Sequence, residues 1–159
     1  MTIRHSRIIF AAALGLSLAF AAADPYPPTA NGAADLKRAQ ANSRRSGKIL
    51  MVIFGGNWCP DCRVLHQRLD ESPVREYARA HFEIVGINIG EKDENLDIVK
   101  ALGATLVKGV PAAAFFDSKG QPLGATAQGE LEPARGYSAG QVLTFLRNVA
   151  EKRLIQKPK

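Results

Sequence analysis

The chain has 159 residues, 46% hydrophobic and 23% charged, with a formal net charge of +6. That supplies apolar material for one compact core and little for a second, so one domain is expected. The modest basic excess, with no interleaved aromatics and no nucleic-acid motif, argues against a nucleic-acid partner.

Arg4 and Arg7 give a positive start, residues 8–23 form an uncharged apolar run, and Ala21, Ala22 and Ala23 place small residues before Asp24. This is the build of a secretory signal peptide over 1–23. Its apolar run is shorter than the roughly 20 residues a spanning helix needs, so the mature protein is expected not to span a membrane. No cysteine follows the run, which leaves no site for a lipid-modified start. Removing 1–23 lowers the formal charge from +6 to +4. The expected organisation is signal peptide 1–23, linker 24–33, domain 34–153 and basic tail 154–159.

Pro25, Pro27 and Pro28 make the segment after Asp24 an extended leader, since proline removes donors and disfavours helix. Residues 34–46 are good helix formers and Gly47 is a plausible stop. The basic residues here, Lys37, Arg38, Arg44, Arg45 and Lys48, read as a solvated helix face. Residues 49–54 form a continuous apolar, partly β-branched run, the pattern of a buried strand.

Gly55, Gly56 and Asn57 then turn the chain. A helix is expected from about Cys59, with Pro60 in the first turn, where its missing N–H costs nothing. Cys62, Leu65 and Leu69 fall on one face of it. Ser72 and Pro73 are expected to restart the helix as cap and first residue. Residues 83–89 read as a second strand, 90–94 as a polar loop and 96–102 as a short helix. Residues 110–116 make a third strand, 117–120 a turn and 122–128 an antiparallel fourth. Ser138 caps a last helix with Val142, Phe145, Leu146 and Val149 inward. The order of elements points to an α/β sheet with helices on both faces. There is no internal repeat.

The two cysteines, Cys59 and Cys62, are the chain's only ones. A structural bridge over two intervening residues would constrain the unfolded chain little, so a reactive pair explains them better. At a helix N-terminus the backbone N–H groups and the macrodipole favour an anion, which makes Cys59 the nucleophile. Cys62, nearly one turn later, can attack the mixed disulfide and so acts as the resolving thiol. The pair carries two electrons without a bound cofactor.

Other readings of this spacing require more than the chain has. Haem attachment needs a histidine after the second cysteine, where Arg63 stands, and a structural zinc site wants four ligands. His66 leaves metal or metallochaperone use open as a three-ligand alternative. His66 lies at the edge of the face carrying Cys62, where it is either a thiol-tuning group or an ordinary packed or surface histidine. Asp61 either favours the helix N-terminus or opposes the Cys59 thiolate, and Pro60 flanks it.

The segment Trp58-Cys59-Pro60-Asp61-Cys62, and Lys108-Gly109-Val110-Pro111 with the strand and turn behind it, resemble the active-site segment and the cis-proline loop of the thioredoxin superfamily. The resemblance runs over about 34–150. Within it, residues 69–89 look closest to exported bacterial thioredoxin-like proteins and to the soluble C-terminal domain of DsbD-type electron transporters. It implies a thioredoxin-like fold, a central mixed sheet flanked by helices on both faces. It implies a protein disulfide oxidoreductase of the periplasm, acting in cell redox homeostasis on cysteine-containing protein substrates and coupled to a membrane-bound redox donor or acceptor. By the same resemblance Trp58 walls the site, Pro111 is the cis residue facing the disulfide, and Val110 lines the substrate groove. Two positions depart from it. Typical thioredoxins carry a buried aspartate and a neighbouring-strand lysine where this chain has Ile53 and Gly86, so deprotonation of Cys62 must rely on water, Asp61 or His66. The negative charge of Asp61 beside Cys59 implies a reductant, the reverse direction being a disulfide donor or isomerase.

Overall fold

The structure, a computed structural model, describes residues 24–151. The expected signal peptide 1–23 and basic tail 154–159 lie outside the described residues. Helix α1 (Gly32–Ser46) begins earlier than expected, because the Asn31 side chain accepts the Ala34 N–H at 3.0 Å and caps it. It stops at Gly47, whose φ of 72° suits glycine.

Strand β1 (Ile49–Gly55) is buried from Leu50 onward, as its unbroken apolar run requires. It pairs in parallel with β2 (Phe82–Asn88) and antiparallel with β3 (Ala112–Phe116), which pairs with β4 (Pro122–Ala125). The sheet order is β2-β1-β3-β4, with β1 central. Helices α2 (Pro60–Leu69), α3 (Val74–His81) and α5 (Ala139–Ala150) build one core with Met51, Ile53, Phe115 and Leu131. On α5, Val142, Phe145, Leu146 and Val149 are buried, and Ser138 and Gln141 form a capping box. Helices α1 and α4 (Leu96–Ala101) contribute to a second core with Leu50, Val52 and Phe54. Layers on both faces of a mixed sheet are the architecture expected from the order of elements.

Three local expectations are corrected. Ser72 does not cap α3: the Ser72–Pro73 peptide is cis, Pro73 takes the cap position without a side-chain bond, and the helix begins at Val74. Strand β3 begins at Ala112 rather than at Val110, because Val110 and Pro111 form a bend and Pro111 has no N–H to give a ladder. Strand β4 ends at Ala125: the Thr126 N–H still donates to Ala113 O at 2.8 Å, but the returning Ala113 N–H goes to the Thr126 hydroxyl at 2.9 Å rather than to a backbone carbonyl. The Pro-rich leader packs onto the fold. It is anchored by Tyr26, which is fully buried.

Candidate active site

The central strand ends at Gly55 and delivers the chain to α2 through a turn closed by the Cys59 N–H donating to Gly56 O at 3.1 Å. Cys59 is the N-cap of α2 and Pro60 follows in the first turn. A cap side chain normally offers an oxygen to the third helical N–H. Here the Cys59 sulfur takes that place, accepting from Cys62 N–H at 3.1 Å. The same donor, with the helix macrodipole, would stabilise a thiolate on Cys59.

Cys59 and Cys62 form a disulfide, with α-carbons 5.3 Å apart. Cys62 has no exposed surface and Cys59 retains 4%. Any incoming sulfur therefore reaches Cys59 first.

Across from the pair, the Val110–Pro111 peptide is cis, and Val110 O lies 3.5 Å from Cys59 Sγ. The fold thus brings two motifs about fifty residues apart in the chain to one point, as the resemblance implied. Trp58 is 42% exposed beside them, with its Nε1–H donating to Gly90 O at 2.6 Å. That indole lies so close over Gly56 that a Cβ there would sit 2.5 Å from Nε1.

Asp61 does not stand as an unopposed charge. Its carboxylate accepts from the Arg135 backbone N–H at 2.8 Å and from Arg135 Nε at 3.0 Å. Arg135 lies in a short 3-10 helix (Ala134–Gly136) between β4 and α5.

His66 does not turn to the cysteines as a third ligand. Its Nε2 is 3.1 Å from the Tyr26 hydroxyl, with the two rings edge to face at 5.1 Å. Burial lowers the His66 pKa to about 4, against a smaller opposing pull from Asp70. The ring is neutral at pH 7. Burial likewise raises the Tyr26 phenol well above its ordinary value. Among the described residues no three His, Cys, Asp or Glu side chains converge on a metal-sized site.

Ile53 and Gly86 are paired across β1 and β2. A Cβ at Gly86 would meet Pro25 O at 2.8 Å and the Tyr26 ring at 3.3 Å, so the glycine makes room for the leader. Asn57 pins that leader, its Nδ2 donating to Tyr26 O at 2.8 Å.

Tyr26, Asn57 and Arg135 were not singled out by sequence reasoning. Tyr26 had one signal: it is the lone aromatic in a proline-rich stretch. Arg135 had none, because nothing local ties it to a helix whose Asp61 is 74 residues away.

A family model described as thioredoxin-like matches residues 31–118. A solved structure described as a disulphide isomerase from Xylella fastidiosa Temecula1 is 33% identical to this chain, with a TM-score of 0.77. The match covers 81% of this chain and 98% of that one. A structure described as DsbH oxidoreductase superposes at TM-score 0.52 with 21% identity, covering 74% and 82%. A thioredoxin from Thermus thermophilus gives 0.52 and 21%, covering 80% and 87%. These last two show the fold alone. Among curated proteins none matches the chain.

Proposed function

The chain belongs to the thioredoxin-like family, and we propose that it is an exported thiol–disulfide oxidoreductase that reduces disulfides in protein substrates. The fold with its Cys-x-x-Cys disulfide supports thiol–disulfide exchange. One observation carries the reading: Cys59 occupies the cap of α2 with its sulfur on the Cys62 N–H, within 3.5 Å of Val110 O.

In the reduced protein the Cys59 thiolate attacks a substrate disulfide, forming a mixed disulfide and expelling one substrate thiolate. Cys62 then attacks the Cys59 sulfur, closing the intramolecular disulfide and expelling the second. The substrate gains two electrons and the protein loses two. Trp58 walls the groove, and an extended substrate segment pairs with the backbone at Val110, a short form of strand addition.

The direction rests on charge. A strongly oxidising disulfide needs a strongly stabilised reduced form. Around this pair, among the described residues, the helix N-terminus supplies the stabilisation, while Tyr26 and His66 are neutral and Ile53 is apolar. The Arg135–Asp61 pairing favours the second reading, a disulfide donor or isomerase, because it offsets the carboxylate beside Cys59.

Export rests on Arg4, Arg7 and the apolar run 8–23. Among the described residues no helix is long and apolar enough to cross a membrane. The likeness of residues 69–89 to DsbD-type domains supports a membrane-bound electron donor. Equilibration with glutathione buffers tests the direction: a potential below about −200 mV is expected, and one near −120 mV overturns the reductant reading.

A further inference from the structure

On the exchange reading above, Cys62 must lose a proton each time it resolves a mixed disulfide, yet its sulfur has no exposed surface. The paired strand positions Ile53 and Gly86 offer neither acid nor base. The leader fills that space. A methyl group on Gly55 would lie 2.7 Å from Cys62 Sγ and 2.7 Å from the Tyr26 hydroxyl. Sulfur and hydroxyl therefore flank one missing Cβ, no farther apart than twice that distance.

The chain of polar atoms continues outward. The Tyr26 hydroxyl meets His66 Nε2 at 3.1 Å. His66 in turn lines a surface cavity of about 200 Å³ with Leu69, Asp70, Arg75 and Arg79. A buried thiol, a buried hydroxyl, an imidazole and a solvent-facing cavity thus follow one another in space.

We propose that Tyr26 and His66 form the proton route of the resolving thiol. The Tyr26 hydroxyl takes the Cys62 proton as it passes its own to His66 Nε2, and the imidazole releases the proton on Nδ1 into the cavity; proton exchange with solvent then restores the starting tautomer before the next turnover. Meanwhile the Cys62–Cys59 bond forms and the bond from Cys59 to substrate breaks. The substrate sulfur leaves with the electron pair and recovers a proton from solvent. No oxidant other than the substrate disulfide enters.

In the tautomer with its proton on Nδ1, the neutral His66 ring offers Nε2 as acceptor, and the firmly protonated Tyr26 conducts rather than stores the proton. The charged groups facing His66 are Asp70 on its own helix and Arg75 and Arg79 of α3 across the cavity; β2 presents only Phe82 and Ile84 there.

The mature protein, reduced, can be mixed with an aromatic disulfide that releases a coloured thiolate. The first equivalent reports attack by Cys59 and the second reports resolution by Cys62. Tyr26→Phe, which keeps the ring, is expected to leave the first phase unchanged and to slow the second about tenfold at pH 6 to 7. The defect should shrink towards about pH 9, where the thiol ionises unaided. His66→Gln should behave alike. Equal second phases in wild type and Tyr26→Phe, or a deficit that does not vary with pH, would overturn the proton route. A wild type that releases no second equivalent would instead sink the exchange reading, and the route with it.

Discussion

Arg135 holds Asp61 through two bonds, the backbone N–H at 2.8 Å and Nε at 3.0 Å, so the residue between Pro60 and Cys62 is tied to a segment beyond the sheet. The Arg135 side chain is largely exposed, and its pairing is screened accordingly. Arg135→Ala removes the guanidinium that offsets the Asp61 carboxylate, two residues along the chain from Cys59. The expected outcome is a Cys59 thiolate that forms less readily and a potential more negative by on the order of 10 mV. Asp61→Asn should move both the other way. Thiolate absorbance against pH and glutathione equilibration measure the pair.

The two cysteines are predicted to separate cleanly in function. Cys59→Ala should abolish exchange with protein disulfides, since Cys62 is fully buried. Cys62→Ala should retain attack but accumulate the mixed disulfide, because the resolving sulfur is gone. Mass spectrometry of the protein after reaction with a disulfide substrate distinguishes the two.

Stability should depend on pH through His66. Its pKa falls from 6.5 in the unfolded chain to about 4 in the fold, so the unfolded state binds the extra proton first. The contribution is fully present above about pH 6.5 and is lost as pH falls towards 4, on the order of 3 kcal/mol in all. Urea unfolding of wild type between those values should show the decline. In His66→Gln this component should be absent.

Gly56→Ala should displace Trp58. The new Cβ would lie 2.5 Å from the indole Nε1, which already donates to Gly90 O. Because Trp58 is at the surface the ring can swing outward, and the cost in stability is expected to be about 1 kcal/mol. The chain's single tryptophan makes the shift visible as a red-shifted emission, with a raised KM for protein substrates.

The parts of this molecule governed by local pattern were legible in its sequence. The apolar run of β1, Pro60 in the first turn of α2, and Ser138 capping α5 each follow from neighbours within a few residues. The convergence of Cys59 with Val110 was legible because two motifs of one family carried it. What escaped depends on contacts made across the fold. The His66–Tyr26 bond spans 40 residues and joins α2 to a proline-rich stretch that has no periodicity of its own. Gly86 could be seen to lack a side chain, but not that the Tyr26 ring would lie over it. Ser72 misled because a serine before a proline satisfies the cap pattern, while in the fold the bond between them is cis and Pro73 takes the cap position.

If the leader 1–23 is removed as proposed, the pinning of Tyr26 by Asn57 ties maturation to chemistry. Tyr26 stands two positions after Asp24, so a peptidase cutting a few residues late would yield a chain that keeps both cysteines and all nine regular strands and α-helices of the described region, yet lacks its hydroxyl beneath Cys62. On the proposed export and proton route, the site of leader removal would be a determinant of turnover.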